Sequence, residues 1–575
     1  MLPLNRTSAV ALRSAAGSWL AHDPDPVTRD ELQELLDRLG PLPERDETIA
    51  DDDASDRAAA WRELRDRFAT RLSFGTAGLR GRQEAGPNRM NRVVVAQAAR
   101  GLADHLLAKA DDGRPSVVIG YDARRNSDVY ARDTAEIMQA AGVDAMLLPR
   151  RLPTPVLAYA VRHFDASAGV MVTASHNPKW DNGYKVYLGG ADGGSQIVEP
   201  ADAEIAAAIG AVAAAGRVDE LPRSADYRVL DDEVVDAYIA RTAEVLQGAV
   251  VPLKVVYTPL HGVGWETFAA VLERVGVPAP TVVEAQVEPD GDFPTVDFPN
   301  PEEAGALDLA YAAGDEAGAD LIIAHDPDAD RLAVAVPDGD GWFRFGGNDI
   351  GKLLGWRAAL AADARGTASG STLATSLVSS PAMSKVAERY GLGYAETQTG
   401  FKWISRAEGI VYGYEEALGY LVNPETLRDK DGISAALAIL ELAMAQAARG
   451  RTLRDLDDEF GEEFGAFESR QVSIRYDEAA RLPQVMAALR AEPPTRVGGV
   501  EVERFHDLAT DAPPANIVRL DLADGTRIMV RPSGTEPKIK SYIDATSAEG
   551  PLDERRRTAA ARADAAAEGM RAVLG

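Results

Sequence analysis

The chain reads Met171-Val-Thr-Ala-Ser-His-Asn-Pro178 where a short apolar run gives way to a turn. The small and β-branched residues from Ala168 to Thr173 predict a buried strand, and the residues after it supply turn chemistry. In an open α/β sheet, the loops that leave such strands form the crevice where ligands bind. The hydroxyl of Ser175 is therefore expected to be presented for chemistry, including covalent catalysis. Serine is also a common turn former, so the stretch alone leaves both interpretations open.

Composition limits the classes of protein to which the chain can belong. Its 575 residues are 46% hydrophobic and 26% charged, which predicts about three to five domains with substantial cores. The formal charge of −29 argues against nucleic acid or an anionic membrane as the main partner. The absence of cysteine excludes disulfides, thiolate metal sites and thiol nucleophiles. Because no stretch is typical of a secretion signal or a membrane span, we expect a soluble, cytoplasmic protein.

The pattern of apolar residues changes several times along the chain and predicts five segments. The first is helical and charged, and within it Thr28-Arg-Asp-Glu31 is typical of a capping box at a helix start. Strands and helices then alternate in three similar units, and a β-meander with a final helix follows. The predicted fold class is α/β, with three similar mixed α/β domains and a smaller α+β C-terminal domain. The predicted bounds of the N-terminal extension, of domains 1 to 3 and of the C-terminal domain are 1–70, 71–220, 221–345, 346–468 and 469–575.

Three aspartates follow another predicted buried strand, Asp320 to Ala324. Asp326, Asp328 and Asp330 alternate, so in an extended backbone their carboxylates would project to one side. Carboxylates this close repel one another unless a cation lies among them, which favours a Mg²⁺ site over a solvated acidic loop. An EF-hand is excluded, because Arg331 stands where that loop needs glycine. Arg331 also indicates an anionic ligand beside the cation.

The loop from residue 531 to residue 538 contains the groups that bind a phosphate monoester. A guanidinium, two hydroxyls, a glycine and an ammonium come from Arg531, Ser533, Thr535, Gly534 and Lys538. Arginine can hold phosphate through two parallel hydrogen bonds, and glycine lets the backbone approach it closely. A surface turn would use serine, glycine and proline as well, but it would not need the cations. We therefore predict a phosphate-binding loop.

Two further features are ambiguous from the residues alone. Glu415 and Glu416 lie at a predicted strand exit, where adjacent carboxylates can accept hydrogen bonds from sugar hydroxyls or stabilise a helix N-terminus. The residues do not decide between these two interpretations. Lys402 lies between Phe401 and Trp403, which favours a surface lysine, with a partly desolvated proton shuttle as the alternative.

Taken together, these loops closely resemble those of the α-D-phosphohexomutase superfamily, which holds phosphoglucomutases, phosphomannomutases and phosphopentomutases. The phosphoserine loop of that family resembles Thr173-Ala-Ser-His-Asn-Pro178, and its metal loop resembles Asp326-Pro-Asp-Ala-Asp-Arg331. Its sugar-binding loop resembles Tyr414-Glu-Glu-Ala417, and its phosphate-binding loop resembles Arg531-Pro-Ser-Gly-Thr535. A glycine-rich turn from Phe74 to Gly81 also matches.

The resemblance implies four domains around a central cleft, each of which contributes one loop. It also implies a phosphosugar mutase that moves phosphate between the 1-position and the 6-position, or the 5-position of a pentose. Ser175, already phosphorylated, would donate its phosphoryl group, and the bisphosphorylated sugar would turn over and return its other phosphate. Glucose 1-phosphate and glucose 6-phosphate are the expected pair. Phosphomannomutase or phosphopentomutase activity is the alternative, followed by a phosphosugar phosphatase.

The resemblance also implies roles for individual residues and small molecules. It implies Mg²⁺ as cofactor, glucose 1,6-bisphosphate or the cognate sugar bisphosphate as activator, and a small-molecule sugar phosphate as partner of a monomer or homodimer. The metal ligands that it implies are Ser175, Asp326, Asp328 and Asp330. The catalytic residues that it implies are Ser175, Arg80, His176, Lys185 and Lys402, with Lys402 as general acid/base and His176 in a supporting place. The substrate-binding residues that it implies are Glu415, Glu416, Arg531, Ser533, Gly534, Thr535, Lys538 and Arg331.

One position departs from the pattern of the superfamily. Its common sugar-binding loop has serine two residues after the first glutamate, and Ala417 stands there in this chain. A hydroxyl that would bind the sugar is therefore missing, so recognition of the ring is expected to differ. The motif leaves the identity of the sugar open.

Overall fold

The computed structural model of the protein describes residues 4–44, 48–49, 54–110, 113–476, 481–511, 514–533 and 538–575. The chain divides into two compact units, and each is discontinuous in sequence. Unit 1 comprises Met1–Leu246, Lys254–Ala333 and Asn423–Leu437. Unit 2 comprises Gln247–Leu253, Val334–Val422 and Ala438–Gly575. Within the described ranges, no helix is both long enough and apolar enough to cross a membrane.

Unit 1 begins with a small helical group. Its elements are β1 (Leu4–Asn5), α1 (Arg6–His22), α2 (Pro26–Arg38), β2 (Thr48–Ile49) and α3 (Asp56–Phe68). Strands β1 and β2 pair antiparallel, and Leu32 and Trp61 lie in the core between the helices. The predicted capping box at Thr28 is wrong, because α2 starts earlier, with Asp25 as its N-cap and proline in its first turn. The hydroxyl of Thr28 instead donates to Asp23.

The first α/β sheet of unit 1 carries the Ser175 loop. Its strands are ordered β3-β7-β6-β4-β5-β9, with β8 beside β7. Strand β4 pairs parallel with β5 and β6, whereas β7 runs antiparallel to β3 and β6. The elements are β3 (Leu79–Arg82), α4 (Arg92–Lys109), β4 (Ser116–Tyr121), α5 (Ser127–Ala141), β5 (Asp144–Leu147), α6 (Thr154–His163), β6 (Ala168–Val172), β7 (Asp181–Leu188), β8 (Ser195–Gln196), α7 (Ala201–Ala215), β9 (Arg228–Val229) and α8 (Glu233–Ala243). Strand β6 is buried along its whole length, as its apolar sequence predicts for a strand covered on both faces.

The second sheet of unit 1 carries the aspartates. Its strands are ordered β11-β10-β12-β13-β14, where β14 is Gly341–Arg344, and β10 pairs parallel with both β11 and β12. The elements are β10 (Val255–Thr258), α9 (Gly264–Val275), β11 (Thr281–Val282), α10 (Asp308–Ala317), β12 (Leu321–His325) and β13 (Leu332–Asp338). The boundary between the units falls within β13.

Unit 2 contains a third mixed sheet, ordered β16-β15-β17-β18. Strand β15 pairs parallel with β16 and β17, and β18 returns antiparallel to β17. The elements are α11 (Gly347–Ala364), β15 (Thr372–Ser376), α12 (Ala382–Tyr390), β16 (Gly393–Thr397), α13 (Phe401–Ile404), β17 (Ile410–Glu415), β18 (Gly419–Leu421), α14 (Gly432–Ala447) and α15 (Leu453–Phe464). Helix α14 begins in unit 1 and continues into unit 2.

The end of unit 2 is an antiparallel sheet, ordered β19-β24-β23-β22-β21-β20. Its elements are β19 (Ala466–Arg475), α16 (Arg481–Ala491), β20 (Arg496–Val497), β21 (Val500–Asp507), β22 (Val518–Leu522), β23 (Arg527–Pro532), β24 (Lys538–Ser547) and α17 (Leu552–Leu574). The chain thus forms three mixed α/β sheets and then an antiparallel sheet with helices. This agrees with the predicted fold class.

Candidate active site

Ser175 lies in the loop after β6, as predicted, and its side chain is buried. Its Oγ donates a hydrogen bond of 2.7 Å to Oδ2 of Asp326, and it lies 3.2 Å from Nδ1 of His176. The backbone of Ser175 has a φ of 52°, a left-handed conformation that residues other than glycine adopt uncommonly. The loop thus holds the hydroxyl directly against the aspartate loop.

Arg124 fixes the backbone of the Ser175 loop from beneath. Its guanidinium donates to four carbonyl oxygens, those of Ser175, Asn177, Pro178 and Asp181, at distances of 2.6 to 2.9 Å. Arginine presents its donors in a rigid fork, so one buried side chain can serve four backbone acceptors of the turn.

A chain of hydrogen bonds also ties Ser175 to the next strand of the sheet. The backbone N–H of Ser175 donates to Oγ1 of Thr173 at 2.8 Å. Thr173 in turn donates to Oδ2 of Asp122 at 2.6 Å, and Asp122 follows β4. The conformation of the loop is therefore set by two neighbouring strand ends.

The three predicted aspartates converge after β12 and are fully buried. One carboxylate oxygen from each lies within 4.8 Å of the others. The predicted extended backbone is wrong, because the N–H of Ala329 donates to the carbonyl of Asp326 and Ala329 has a φ of 54°. The carboxylates converge through a tight turn and not through strand alternation.

Two lysines balance the charge of the aspartates. Nζ of Lys185, on β7, lies 2.7 Å from Oδ2 of both Asp328 and Asp330. Nζ of Lys430 lies 3.2 Å from Oδ2 of Asp330. Lys430 precedes α14, and a Cβ on Gly432 would lie 2.4 Å from the carbonyl oxygen of Arg331. Only glycine allows this close approach to the aspartate loop.

The pKa values of the aspartates are shifted from the ordinary value of the residue, and the shifts differ in direction. Burial, with the charges of Asp328 and Asp330, raises the pKa of Asp326 well above its ordinary value. Burial also opposes the charge of Asp330, but Lys185, Lys430 and Arg331 outweigh it and hold that pKa below its ordinary value. The surroundings therefore disfavour the charged form of Asp326 and favour the charged form of Asp330.

The aspartates fit a hard cation. Among the described residues, Oδ1 of Asp328 and Oδ1 of Asp330 are buried without a hydrogen-bond partner. Leaving charged oxygens buried and unpaired is costly, and oxygen ligands of this kind suit Mg²⁺. The hydroxyl of Ser175, which is hydrogen-bonded to Asp326, adds a fourth oxygen beside the three carboxylates.

The remaining predicted residues of unit 1 surround this centre. Arg80, on β3, donates a long hydrogen bond of 3.5 Å to Asn177. Arg331 donates its backbone N–H to Asp326 at 3.0 Å, and its Nε lies 3.8 Å from Asp330. Burial, followed by the charges of Arg331 and Arg80, lowers the pKa of His176 well below its ordinary value, so the imidazole is neutral near pH 7.

Glu415 and Glu416 lie in unit 2, where Glu415 ends β17 and Glu416 begins the hairpin turn to β18. Glu415 pairs with Gly419, so no helix begins here and the helix N-terminus interpretation is wrong. Oε2 of Glu416 accepts hydrogen bonds from the hydroxyls of Ser376 at 3.0 Å and Ser379 at 3.1 Å. Burial raises the pKa of Glu416.

The predicted phosphate-binding loop lies between β23 and β24 in the same unit. Arg531 lies near the end of β23 opposite Lys540, and the N–H of Ser533 donates to the carbonyl of Lys538 at 2.8 Å. Gly534 and Thr535 lie outside the described residues. Lys402 is half-buried on the short helix α13.

The predicted residues divide between the two units. Unit 1 gathers Ser175, His176, Lys185, Arg80, Arg331 and the three aspartates. Unit 2 carries Glu415, Glu416, Lys402, Arg531, Ser533 and Lys538. Sequence reasoning assigned no role to Arg124 and Lys430, although both stand in charged stretches, one at a strand exit and one before a helix.

Comparison with known proteins identifies four domain families in order along the chain. Residues 71–215, 236–339 and 348–464 match alpha/beta/alpha domains I, II and III of phosphoglucomutase/phosphomannomutase. Residues 472–561 match the C-terminal domain of the same family. The predicted fold class is thereby confirmed.

The chain is also similar to curated proteins over nearly their full length. A "Probable phosphomannomutase" of Haemophilus influenzae is 56% identical over 457 residues, covering 79% of this chain and 93% of the relative. A mouse phosphopentomutase is 31% identical, covering 94% of this chain and 91% of the relative. A crystal structure of a phosphoglucomutase/phosphomannomutase family protein from Burkholderia thailandensis shares the fold, with a TM-score of 0.65, 20% identity and coverage of 87% and 98%. The chain belongs to the phosphoglucomutase/phosphomannomutase family, whose members are phosphomutases.

Proposed function

We propose that the protein interconverts the 1-phosphate and the 6-phosphate of a hexose, with Ser175 as the phosphoryl carrier. One observation carries this proposal: the buried Oγ of Ser175 lies 2.7 Å from Asp326, within a cluster of carboxylates and lysines. A hydroxyl in this place is poised to exchange a phosphoryl group and not merely to form a turn.

The proposed reaction consists of two phosphoryl transfers, the first from Ser175 to the sugar and the second from the sugar to Ser175. In the first, the bond between phosphorus and Oγ of phosphorylated Ser175 breaks, and a bond from phosphorus to a sugar hydroxyl oxygen forms. The proton of that hydroxyl passes to a base, for which Lys402 is the candidate by its match to the family motif. In the second transfer, the bond between the other phosphorus and its sugar oxygen breaks, that oxygen takes up the proton held by the base, and the phosphorus bonds to Oγ of Ser175 again. No phosphate is released, so the net reaction is an isomerisation.

The residues of unit 1 prepare this transfer in distinct ways. Arg124 and Thr173 hold the backbone of Ser175, so its Oγ needs little reorganisation. Lys185 stabilises negative charge beside the transferring group, and Arg80 and Arg331 offer further cationic contacts to a phosphate. Asp326, Asp328, Asp330 and Ser175 would hold Mg²⁺, which supplies charge neutralisation for the transferring phosphoryl group.

The proposed substrate-binding residues lie in unit 2. Glu415 and Glu416 suit sugar hydroxyls, and Arg531, Ser533 and Lys538 suit the phosphate that is not being transferred. Gly534 and Thr535 belong to the same proposed phosphate loop. Glucose 1,6-bisphosphate, or the bisphosphate of the cognate sugar, would rephosphorylate Ser175 after loss of its phosphate and so act as activator.

Glucose phosphate is the substrate that we propose first, and mannose phosphate is the second candidate. The similarity to a phosphomannomutase supports the latter, and the similarity to a phosphopentomutase supports pentose phosphate. Ala417, which replaces the usual serine, is consistent with sugar recognition that differs from that of the common hexose enzymes.

A parallel assay tests the proposal. Purified protein with Mg²⁺ and a trace of glucose 1,6-bisphosphate is offered glucose 1-phosphate, mannose 1-phosphate and ribose 1-phosphate, and both the isomer and free phosphate are recorded. Conversion of one sugar without phosphate release is expected and identifies the substrate. Stoichiometric release of phosphate would instead show a phosphatase and overturn the proposal.

A further inference from the structure

Ser379 controls the position of Glu416 in the turn of the sugar loop. Its buried Oγ donates to Oε2 of Glu416 at 3.1 Å and accepts the backbone N–H of the same residue at 3.1 Å. Ser376, the last residue of β15, donates to the same carboxylate oxygen at 3.0 Å. One oxygen of Glu416 is thus committed to two hydroxyls, which fix both its side chain and its backbone.

The carbonyl of Ser379 is held by an arginine of the antiparallel sheet. Arg527, at the start of β23, donates to this carbonyl, to Oε1 of Glu396 at 2.7 Å and to Oδ2 of Asp544 at 2.9 Å. The guanidinium is buried, so its charge depends on these two carboxylates. Strand β23 continues from Arg527 to Arg531, the first residue of the proposed phosphate loop.

A second set of hydrogen bonds joins the same two parts of unit 2. Ser469, on β19, donates to Oδ1 of Asp544 at 2.7 Å and accepts from Asn348 at 2.9 Å. Asn348 also accepts the backbone N–H of Ser380 at 2.9 Å. The turn at residues 379–380 is therefore held at both residues, through Arg527 and through Asn348.

We propose that Ser379 and Arg527 are positioning residues that fix the spacing between the sugar-binding turn and the strand that carries the phosphate-binding loop. The proposal rests on the proposed function, because it assumes that both loops bind one sugar phosphate. Neither residue touches the ligand. Ser379 acts through Glu416, and Arg527 acts through Ser379 on one side and through its own strand on the other.

The turn of the sugar loop contains no serine of its own. Ala417 offers no hydroxyl to the ligand or to the neighbouring turn. The hydroxyls of Ser376 and Ser379 come from a different segment and order the turn from beneath. A small ligand bound by two loops is sensitive to displacements of about 1 Å. Losing the hydrogen bonds that fix the turn is therefore expected to weaken substrate binding.

The test uses the full-length protein and whichever of the three sugar 1-phosphates the wild type converts. We expect Ser379→Ala to raise KM about 10-fold while kcat changes less than about 3-fold, the effect of losing one hydrogen bond to a charged group. Arg527→Lys keeps the charge, but its single nitrogen cannot take the places of both Nη1 and Nη2, which contact Glu396 on one side and Ser379 and Asp544 on the other, so a similar rise in KM is expected. In the double variant Ser379→Ala/Arg527→Lys, the rise in KM should be smaller than the product of the single rises, because both changes displace Glu416.

Matched controls separate positioning from general destabilisation. Ser371→Ala removes a buried hydroxyl at the opposite end of β15, and Arg357→Lys weakens an ion pair with Glu441 elsewhere in unit 2. Both should leave KM within about 2-fold of wild type at equal loss of thermal stability. If Ser379→Ala does not fold, Ser376→Ala removes the other donor to Glu416 and should raise KM in the same way.

The outcomes distinguish this inference from the proposed function. If the wild type converts none of the three sugar phosphates, the proposed function fails first. If the wild type is active and folded Ser379→Ala or Ser376→Ala keeps an unchanged KM, the positioning inference alone is wrong. Rises in KM that the two controls match would likewise overturn it.

Discussion

At the scale of single residues, the proposed chemistry depends on one hydroxyl. We expect Ser175→Ala to lose about 10⁴-fold or more in kcat, because no other atom can carry the phosphoryl group. The folded structure should persist, since the substitution removes only the contacts of Oγ with Asp326 at 2.7 Å and with His176 at 3.2 Å. Ser167→Ala, just before the other end of β6, serves as the control and should retain activity. A Ser175→Ala protein that isomerises as fast as wild type would contradict the phosphoserine mechanism.

Arg124 is the residue whose role the structure adds most clearly. Arg124→Lys retains the charge, but an ammonium has three donors and cannot serve four carbonyls in a fixed plane. We expect kcat/KM to fall about 10- to 100-fold, because the backbone of Ser175 loses its support. Arg125→Lys changes the exposed neighbour, which pairs with Asp292, and should have little effect in the same assay. Equal effects of the two substitutions would show that Arg124 does not act through the loop.

At the scale of elements, the aspartate loop is expected to couple metal binding to stability. Removing Mg²⁺ with a chelator should abolish turnover, and adding it back should restore turnover and raise the melting temperature. Saturation at about 100 times Kd corresponds to about 2.7 kcal/mol of stabilisation. Asp328→Asn should lose the Mg²⁺-dependent shift in melting temperature, whereas Asp308→Asn, at the exposed start of α10, should keep it. Full activity in the presence of chelator would contradict the metal assignment.

The segment before α14 provides a test of pH dependence. Burial raises the pKa of Asp431 to about 6, although Tyr238, Ile433 and Ser434 donate to its Oδ1. Because the folded pKa exceeds the ordinary value of 3.8, the stability that this group contributes is present below pH 3.8 and is lost as pH rises through 6. Asp431→Asn mimics the protonated form, so its stability relative to wild type should improve by about 1 kcal/mol between pH 5 and pH 7.5. The measurement is urea unfolding at both pH values, with the exposed Asp226→Asn as control; no improvement would contradict the shift.

Elements and loops were predictable from the sequence where local pattern and local chemistry agree. The strand before Ser175 and the convergence of the aspartates follow from apolar runs that end in polar turns. The turn at Ala329 did not follow, because alternating aspartates look the same in an extended strand and in a tight loop. The predicted start of α2 is wrong because the spacing of Thr28 and Glu31 is typical of a capping box. The aspartate–proline pair that precedes Thr28 forms the cap instead.

Contacts between distant segments were beyond sequence reasoning. Lys430 and Asp330 lie 3.2 Å apart, but 100 positions separate them along the chain, and nothing local to Lys430 indicates its partner. The same holds for Arg527, which reads as an ordinary strand residue and becomes informative only with Ser379 and Asp544. The sequence therefore leaves undetermined which distant charged residues meet in the folded protein.

At the scale of the whole molecule, a formal charge of −29 acts against an anionic substrate. The cations that would bind a phosphate are local, such as Lys185, Arg331 and Lys430, whereas the negative charge is spread over the whole chain. Screening removes distant interactions first, because the Debye length falls from about 30 Å at 0.01 M salt to about 8 Å at 0.15 M. Short-range contacts in the buried cluster are screened much less.

We therefore expect salt to raise kcat/KM for this protein, although salt slows most encounters between an anionic substrate and a cationic site. We expect kcat/KM for the sugar phosphate to rise about 2-fold between 10 and 150 mM KCl at fixed free Mg²⁺, because repulsion at long range weakens before local attraction does. Repeating the series with NaCl separates ionic strength from a specific effect of potassium, and kcat at saturating substrate should stay constant. A steady fall of kcat/KM with salt would show instead that the local cations already dominate at long range and that the charge of −29 does not govern the approach of the substrate.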